Sequence, residues 1–302
     1  MILAIGEILF DHFPGYRRVG GAPLNFSYHL KKLGFPARLV SRVGDDQEGR
    51  ELQSLLQMSG FEEEDLQIDP KHRTGAVNVT VDGDGVPTFD VLPDAAFDHL
   101  EMNKSVRSVI NQDPELVYYG TLVQRTSKVR RFMEAVFSYT GKSTRSFCDL
   151  NLRPRCYSRE IVEASLLRAD VLKLNEEELE TITGFLGGNG SEKDQCHCIM
   201  ERYGIGMLAL TRGEKGSEIH SGEGNHTIGP VEGTPVADTV GAGDAYSSIL
   251  AIGYLGGWHP EKILKTASMF SAGICRIEGA LPETDLIYDE FKKLVGEKDD
   301  EK

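Results

Sequence analysis

The sequence predicts an α/β fold with a mostly parallel central sheet covered by helices on both faces. Three observations carry this reading. From residue 115 onward, short apolar β-rich runs alternate with amphipathic helical stretches, the pattern that βαβ units produce. Glycine closes several of the helical stretches, as in "KKLG", "QMSG" and "TITG". One stretch, "TGAVNVTVDGDGVPTFDV", alternates with period two around a "DGDG" turn and reads as a β-hairpin outside the main sheet, over residues 72 to 92. Such sheets collect ligands at the carboxyl ends of their strands.

Taken in order, "MILAIGEILFDHF" is an apolar β-rich run read as a strand. "GGAPLNFSYHLKKLG" follows as a helix with Phe26, Leu30 and Leu33 on one face, Pro23 near its start and Gly34 at its end. "ARLVSRVG" is a strand and "GRELQSLLQMSG" a helix. After the hairpin come "ELVYYGTL" (strand), "SKVRRFMEAVFSYTG" (helix), "RSFCDLNLRP" (strand) and "REIVEASLLRA" (helix). Then come "DVLKLN" (strand), "EEELETITG" (helix) and "GIGMLALTRG" (strand), with "SEIHS" pairing beside the last. "AYSSILAIGYL" is a long apolar helix, and residues 296 to 302 are a polar tail expected to be disordered.

The chain has 302 residues, of which 40% are hydrophobic and 26% charged, enough for a substantial core. Net charge is −14, which argues against nucleic-acid binding, because a phosphate backbone needs a basic face. An anionic ligand must therefore be held by a local device rather than by the overall field. No run approaches the ~20 apolar residues of a membrane span, and the N-terminal stretch lacks a basic leader, so a cytoplasmic, membrane-free protein is expected. Five cysteines, Cys148, Cys156, Cys196, Cys198 and Cys275, suit reduced thiols. "CHC" at 196 to 198 lacks a second ligand pair at zinc spacing and reads as thiols facing inward from a helix.

The local device is "DTVGAGDAY". Gly241, Ala242 and Gly243 form a turn opening a helix, where unpaired amides and the helix dipole favour an anion. Asp244 follows at once. A carboxylate beside an anion site makes sense in phosphoryl transfer: the amides take up charge on the transferred group and the carboxylate takes the proton of the attacking hydroxyl. Read as structure alone, Asp244 would be a helix cap. "TGKS" at 140 to 143 is not a P-loop, since Val136 stands where the first glycine is required.

Near the N-terminus, Asp11 follows the first strand, Gly20 and Gly21 precede a helix, and Asn25 lies inside it. Such donors and acceptors suit a polyol. In "CDLNLRP", alternation puts Asp149, Asn151 and Arg153 on one strand face. "KLNEEEL" sets Asn175 one helical turn from Glu178, a helix cap or a water-mediated Mg²⁺ site. "LTRG" offers Thr211, Arg212 and Gly213 to phosphates, or makes a simple turn.

Together these stretches resemble the ribokinase, or phosphofructokinase-B, family of carbohydrate kinases, and most closely its bacterial fructokinases. "GGAPLNFSYHLKKLG" is similar to the family's N-terminal signature, "DTVGAGDAYSS" to its C-terminal one and "KLNEEEL" to its Asn-x-x-Glu motif. "GEILFDHFP", "GGAPLNF", "YYGTLVQRT" and "DLNLRPRCY" resemble fructokinase segments. The resemblance implies a single domain over 1–302, a ribokinase-like three-layer α/β/α sandwich with a small β-sheet lid from segments at about 12–20 and 72–92. It implies Asp244 as catalytic base, Gly241 to Gly243 as anion hole, and ATP at Thr211, Arg212, Gly213, Gly241 and Gly243. Asp11, Gly20, Gly21, Asn25 and Arg153 would bind sugar, and Asn175 with Glu178 would organise Mg²⁺. Asp238 and the loop at Gly279-Ala280 stand where the family's monovalent cation, such as K⁺, is held. One departure is Cys156-Tyr157, where related kinases commonly carry Trp. The implied reaction is phosphorylation of fructose to fructose 6-phosphate. The alternatives are a 2-keto-3-deoxygluconate, nucleoside or other small-sugar kinase, and a sugar-binding regulator without catalysis. A homodimer through exposed lid strands is expected.

Overall fold

The computed structural model describes residues 1–81, 87–188, 190–233 and 236–296. The "DGDG" turn predicted at 82 to 85 and all but the first residue of the predicted tail lie outside them. The chain divides into two compact units. The first comprises Met1–Ser27, Ala37–Thr144 and Leu152–Tyr157, and the second comprises Tyr28–Pro36, Arg145–Asn151 and the chain from Ser158 on.

In the first unit the opening apolar run is two strands, not the one expected. They are β1 (Ile2–Ile5) and β2 (Leu9–Phe13), and they belong to different sheets. The break falls at Gly6, where a Cβ would lie 2.4 Å from Pro23 Cγ, so only glycine lets the chain pass this close to the start of the next helix. β3 (Tyr16–Gly20) pairs antiparallel with β2, and α1 (Ala22–Lys32) begins directly after Gly20 and Gly21, as expected. β4 (Ala37–Gly44), α2 (Gln47–Met58) and β5 (Leu66–Asp69) follow. Asp46 caps α2 through its bond from the Gly49 amide at 2.7 Å.

The predicted hairpin is β6 (Gly75–Val81) and β7 (Pro87–Val91), antiparallel to one another, with β6 parallel to β2. The small sheet therefore runs β3-β2-β6-β7. Leu9, Val77, Val79 and Val91 bury one face against Phe97 and Leu122. α3 (Lys104–Ile110), β8 (Leu116–Tyr119) and α4 (Ser127–Tyr139) complete this unit. β1 pairs parallel with both β4 and β8, and β4 with β5.

The second unit holds β9 (Arg145–Asp149), α5 (Arg159–Leu166), β10 (Val171–Asn175), α6 (Glu176–Leu186), α7 (Glu192–Tyr203) and β11 (Met207–Thr211). β9, β10 and β11 are parallel. β12 (Ser217–Ser221), the predicted "SEIHS" strand, turns back antiparallel on β11, and β13 (Gly224–Ile228) on β12. α8 (Ala242–Leu255), α9 (Pro260–Ile274) and α10 (Leu286–Gly296) follow. The predicted class, mixed α/β with mostly parallel main-sheet strands and a smaller separate sheet, is the one observed.

Cys196 is buried on α7 as expected, but Cys198 is exposed. Two residues on a helix are 200° apart, so the two thiols cannot share an inward face. No described helix is long and apolar enough to cross a membrane.

Candidate active site

The predicted site residues fall into two groups, one in each unit. In the first unit Asp11 is the middle residue of β2, and Gly20 ends the neighbouring strand opposite Leu9. A Cβ on Gly20 would stand 2.5 Å from Asp11 Oδ2, so the bare backbone there makes room for the carboxylate. Burial pushes the Asp11 carboxyl above its ordinary range, and the charges of Arg153 and His12 pull part of the way back. Arg153, distant in sequence, is thus one of the charges that act on Asp11. Gly21 has φ of +115°, and a Cβ would meet the Glu7 carbonyl oxygen at 2.5 Å. Its own carbonyl accepts the Asn25 amide at 3.0 Å in the first turn of α1, where Asn25 is buried.

One expectation fails here. Asp149, Asn151 and Arg153 do not share a strand face, because β9 ends at Asp149 and Asn151 turns left-handed at φ +47°. The Leu150 amide is drawn instead to the Lys173 carbonyl at 3.0 Å. Arg153 and Arg155 lie beyond the turn and are exposed.

In the second unit the glycine turn opens α8 as read. Gly241 is the N-cap at φ +79°, with no side-chain cap bond, and Asp244 lies inside the first turn. The plain capping role for Asp244 is therefore excluded, since the residue is at the third helical position. The Ala242 amide turns back to the Thr239 carbonyl at 3.3 Å, so it is less available to an anion than the turn's sequence suggests. A Cβ on Gly241 would overlap Ala280 Cβ at 2.3 Å. Gly241→Ala is expected to destabilise the chain by on the order of 2–5 kcal/mol, from the positive φ and the overlap combined. Denaturant unfolding checks this, and an unchanged midpoint would mean that the turn is not held against Ala280.

Next to the turn lies a cavity of about 760 Å³. Of the predicted ATP set, Thr211, Gly213 and Gly243 line it, together with Ala242, while Gly241 is not among its described lining residues. Arg212 does not join them. Its Nη2 binds Glu218 Oε1 at 2.8 Å and Glu192 Oε2 at 2.9 Å, and those carboxylates commit it to an ion-pair role. Another wall comes from α9, which motif reading passed over: Ser268, Ser271 and Ala272 line the cavity, and Ser271 Oγ donates to the Ala242 carbonyl at 2.9 Å. The small residues of "TASMFSAG" were the available signal.

Lys173 is the largest omission from the sequence reading. It is buried in β10 with Nζ 3.1 Å from Asp149 Oδ1, and Ser247 of α8 donates to Asp149 Oδ2 at 2.7 Å. A Cβ on Gly243 would come within 3.0 Å of that same Nζ. Burial alone would lower the lysine, but the charges of Asp149, Glu178 and Asp244 outweigh it and hold Lys173 above its ordinary value. A fixed cation therefore sits beside the glycine turn. A single lysine inside the apolar strand "VLKLN" was the sequence cue, because an isolated charge is not buried without a partner.

Asn175 and Glu178 make a reciprocal capping box on α6. Asn175 Oδ1 accepts the Glu178 amide and Glu178 Oε2 accepts the Asn175 amide, each at 2.9 Å. Asp238 ties two loops: Oδ1 accepts the Val240 amide and Oδ2 the Gly279 amide, each at 3.0 Å.

Over residues 16–284 the chain matches the family described as pfkB family carbohydrate kinase. The chain belongs to that family. Among the relatives of this kinase, an uncharacterized sugar kinase from Pyrococcus horikoshii is 28% identical over 98% of this chain and 97% of its own length. Fructokinase-2 of Oryza sativa subsp. japonica is 27% identical over 93% of this chain and 90% of its own. Solved structures agree in fold. The Pyrococcus sugar kinase in complex with ATP superposes with a TM-score of 0.81 at 25% identity, covering 98% of this chain and all of that one. A fructokinase with bound ATP from Xylella fastidiosa gives 0.83 at 19% identity, covering 97% and 98%.

Proposed function

We propose that this pfkB-family kinase transfers the γ-phosphoryl group of ATP to a primary hydroxyl of a small sugar, fructose in the first place, giving fructose 6-phosphate. The observation that carries the reading is the start of α8. A glycine turn whose Ala242 and Gly243 line one large cavity stands beside a buried carboxylate at Asp244 and the buried ammonium of Lys173. Fructokinase among the relatives supports the choice of sugar.

In this reading Asp244 accepts the proton of the hydroxyl as its oxygen attacks the γ-phosphorus. The amides opening α8, with Lys173 behind them, offset the charge that spreads over the phosphoryl oxygens. Thr211, Gly213 and the α9 serines shape the nucleotide cavity. Asp11, Asn25 and Arg153 hold sugar hydroxyls, with Gly20 and Gly21 letting backbone approach the ring. Mg²⁺, when bound with ATP, neutralises phosphate charge. Asn175 and Glu178 would hold it through water. That fits a metal that keeps its waters and takes few protein ligands. Asp238, between its two loops, is where a monovalent cation such as K⁺ would be anchored.

The test is ATP consumption with Mg²⁺ and K⁺ over fructose, ribose, 2-keto-3-deoxygluconate, adenosine and fructose phosphates. Fructose is expected to give the highest kcat/KM. Preference for the keto-acid would keep the mechanism and reassign the pocket, with Arg153 on its carboxylate. Absence of turnover on the whole panel would sink the fructose assignment.

A further inference from the structure

Arg153 opens a second turn, and what supports that turn lies elsewhere in the sequence. The Cys156 amide donates to the Arg153 carbonyl at 3.0 Å, with Pro154 and Arg155 between them and Arg155 at φ +63°. Proline in second place and a positive φ in third is the pattern of a type II turn, whose third residue is normally glycine or asparagine. An arginine there is strained, so neighbouring contacts must hold it. Arg153, Pro154 and Arg155 are exposed, and Cys156 is the buried member of the four. The segment Leu152–Tyr157 belongs to the first unit, although the chain on both sides of it belongs to the second.

Cys156 enters the core under the small sheet with Leu9, Val77 and Phe97. Leu9 and Asp11 are alternate residues of β2 and face the same way, and Asp11 pairs in register with Val77. The turn is thus seated under the sheet face that carries Asp11, on which the Arg153 charge acts. Beside Cys156 stands Arg125, between β8 and α4. Its Nε and Nη2 fork onto the buried Asp98 at 2.7 and 2.5 Å, and Nη2 also donates to the Leu92 carbonyl at 2.7 Å, just beyond β7. Nη1 is turned to the thiol, 3.7 Å from Cys156 Sγ, and the guanidinium carbon lies 4.8 Å from the centre of the Phe97 ring. A forked pair with a carboxylate fixes a guanidinium in direction as well as in place.

We propose that Arg125 is a positioning residue for the acceptor sugar: it holds Cys156 against the small sheet, and the turn built on Cys156 presents Arg153 beside Asp11. This rests on the reading of Arg153 and Asp11 as sugar ligands. Arg125 itself touches no reacting atom.

Arg125→Lys keeps a charge opposite Asp98 but removes the fork. Steady-state kinetics with the sugar of highest turnover should show the sugar KM raised about tenfold and the ATP KM changed by less than about twofold. Arg153→Ala should raise the sugar KM at least as much. The two changes together should cost no more than Arg153→Ala alone, because Arg125 would then have nothing left to position. Effects that multiply in the double variant, or an unchanged sugar KM in Arg125→Lys, would overturn the assignment. Hydrogen exchange gives a readout that needs no turnover. The peptide over residues 152–157 should exchange at least about fivefold faster in Arg125→Lys, with the α8 peptides unchanged, and wild-type exchange there would also overturn the assignment. An unchanged sugar KM in Arg153→Ala would instead sink the sugar-ligand reading, while faster exchange at 152–157 would still tie Arg125 to the turn. Cys156→Ala leaves the Arg125–Asp98 pair whole, so it serves even where Arg125→Lys does not fold, and should show the same pattern at about threefold. Wild-type sugar KM and wild-type exchange in that variant would rule out the route through Cys156.

Discussion

Asp244→Asn is expected to lower kcat by about 10²–10⁴-fold while leaving ATP affinity within a few-fold of wild type. The amide keeps the size and the helical position of the carboxylate but cannot accept the hydroxyl proton. The first-turn amides of α8 and the Lys173 charge stay in place, so the nucleotide should still bind. Steady-state kinetics with the sugar that gives highest turnover, together with nucleotide titration, separates the two effects. Near-normal kcat would remove Asp244 from its role as base. Loss of ATP binding with kcat retained at saturation would make it a nucleotide residue instead.

Asp149→Ala is expected to be the most damaging substitution for stability, at about 3–5 kcal/mol, because it leaves a buried ammonium without its nearest counter-charge. An apparent melting temperature lower by roughly 10 °C corresponds to that loss. Adding Lys173→Met to the Asp149→Ala chain should restore much of it, since an apolar side chain of similar length removes the stranded charge. No recovery in the double variant would mean that the cost comes from Ser247 or the lost volume. The pair also has a pH signature. Lys173 is held above the unfolded lysine value of about 10.4, so its contribution is complete below that pH and fades as pH rises through the higher folded value. The Asp149→Ala chain should lose that alkaline dependence.

Legibility in the sequence followed the range of the interactions involved. The α8 turn could be read because glycine at a positive φ, a helix start and an adjacent carboxylate are all local. The capping box at Asn175 and Glu178 is local too. Lys173 with Asp149 was missed as a pair because Asp149 comes from the neighbouring parallel strand β9, whose register no single stretch of sequence states. The same limit hid the α9 wall of the cavity, made by serines with no motif of their own. Arg212 failed differently. A strand-end arginine is equally suited to phosphate or carboxylate, and here Glu192 and Glu218 reach it within the fold. The Asp149–Asn151–Arg153 alternation assumed that the strand continued, and one left-handed residue ended it.

The small sheet is woven from two separate lengths of chain, β2–β3 and β6–β7, and the first is joined to β1 by only Gly6, Glu7 and Ile8. It therefore has no single pair of ends at which it could be cut out, exchanged with that of a relative or inserted elsewhere. A chimaera that replaced the hairpin alone would put a foreign β6 beside a native β2, with Val77 and Val79 facing a Leu9 they were not matched to. Recombination within such kinases should succeed only when both lengths travel together, which makes Asp11 and the hairpin inherit as one.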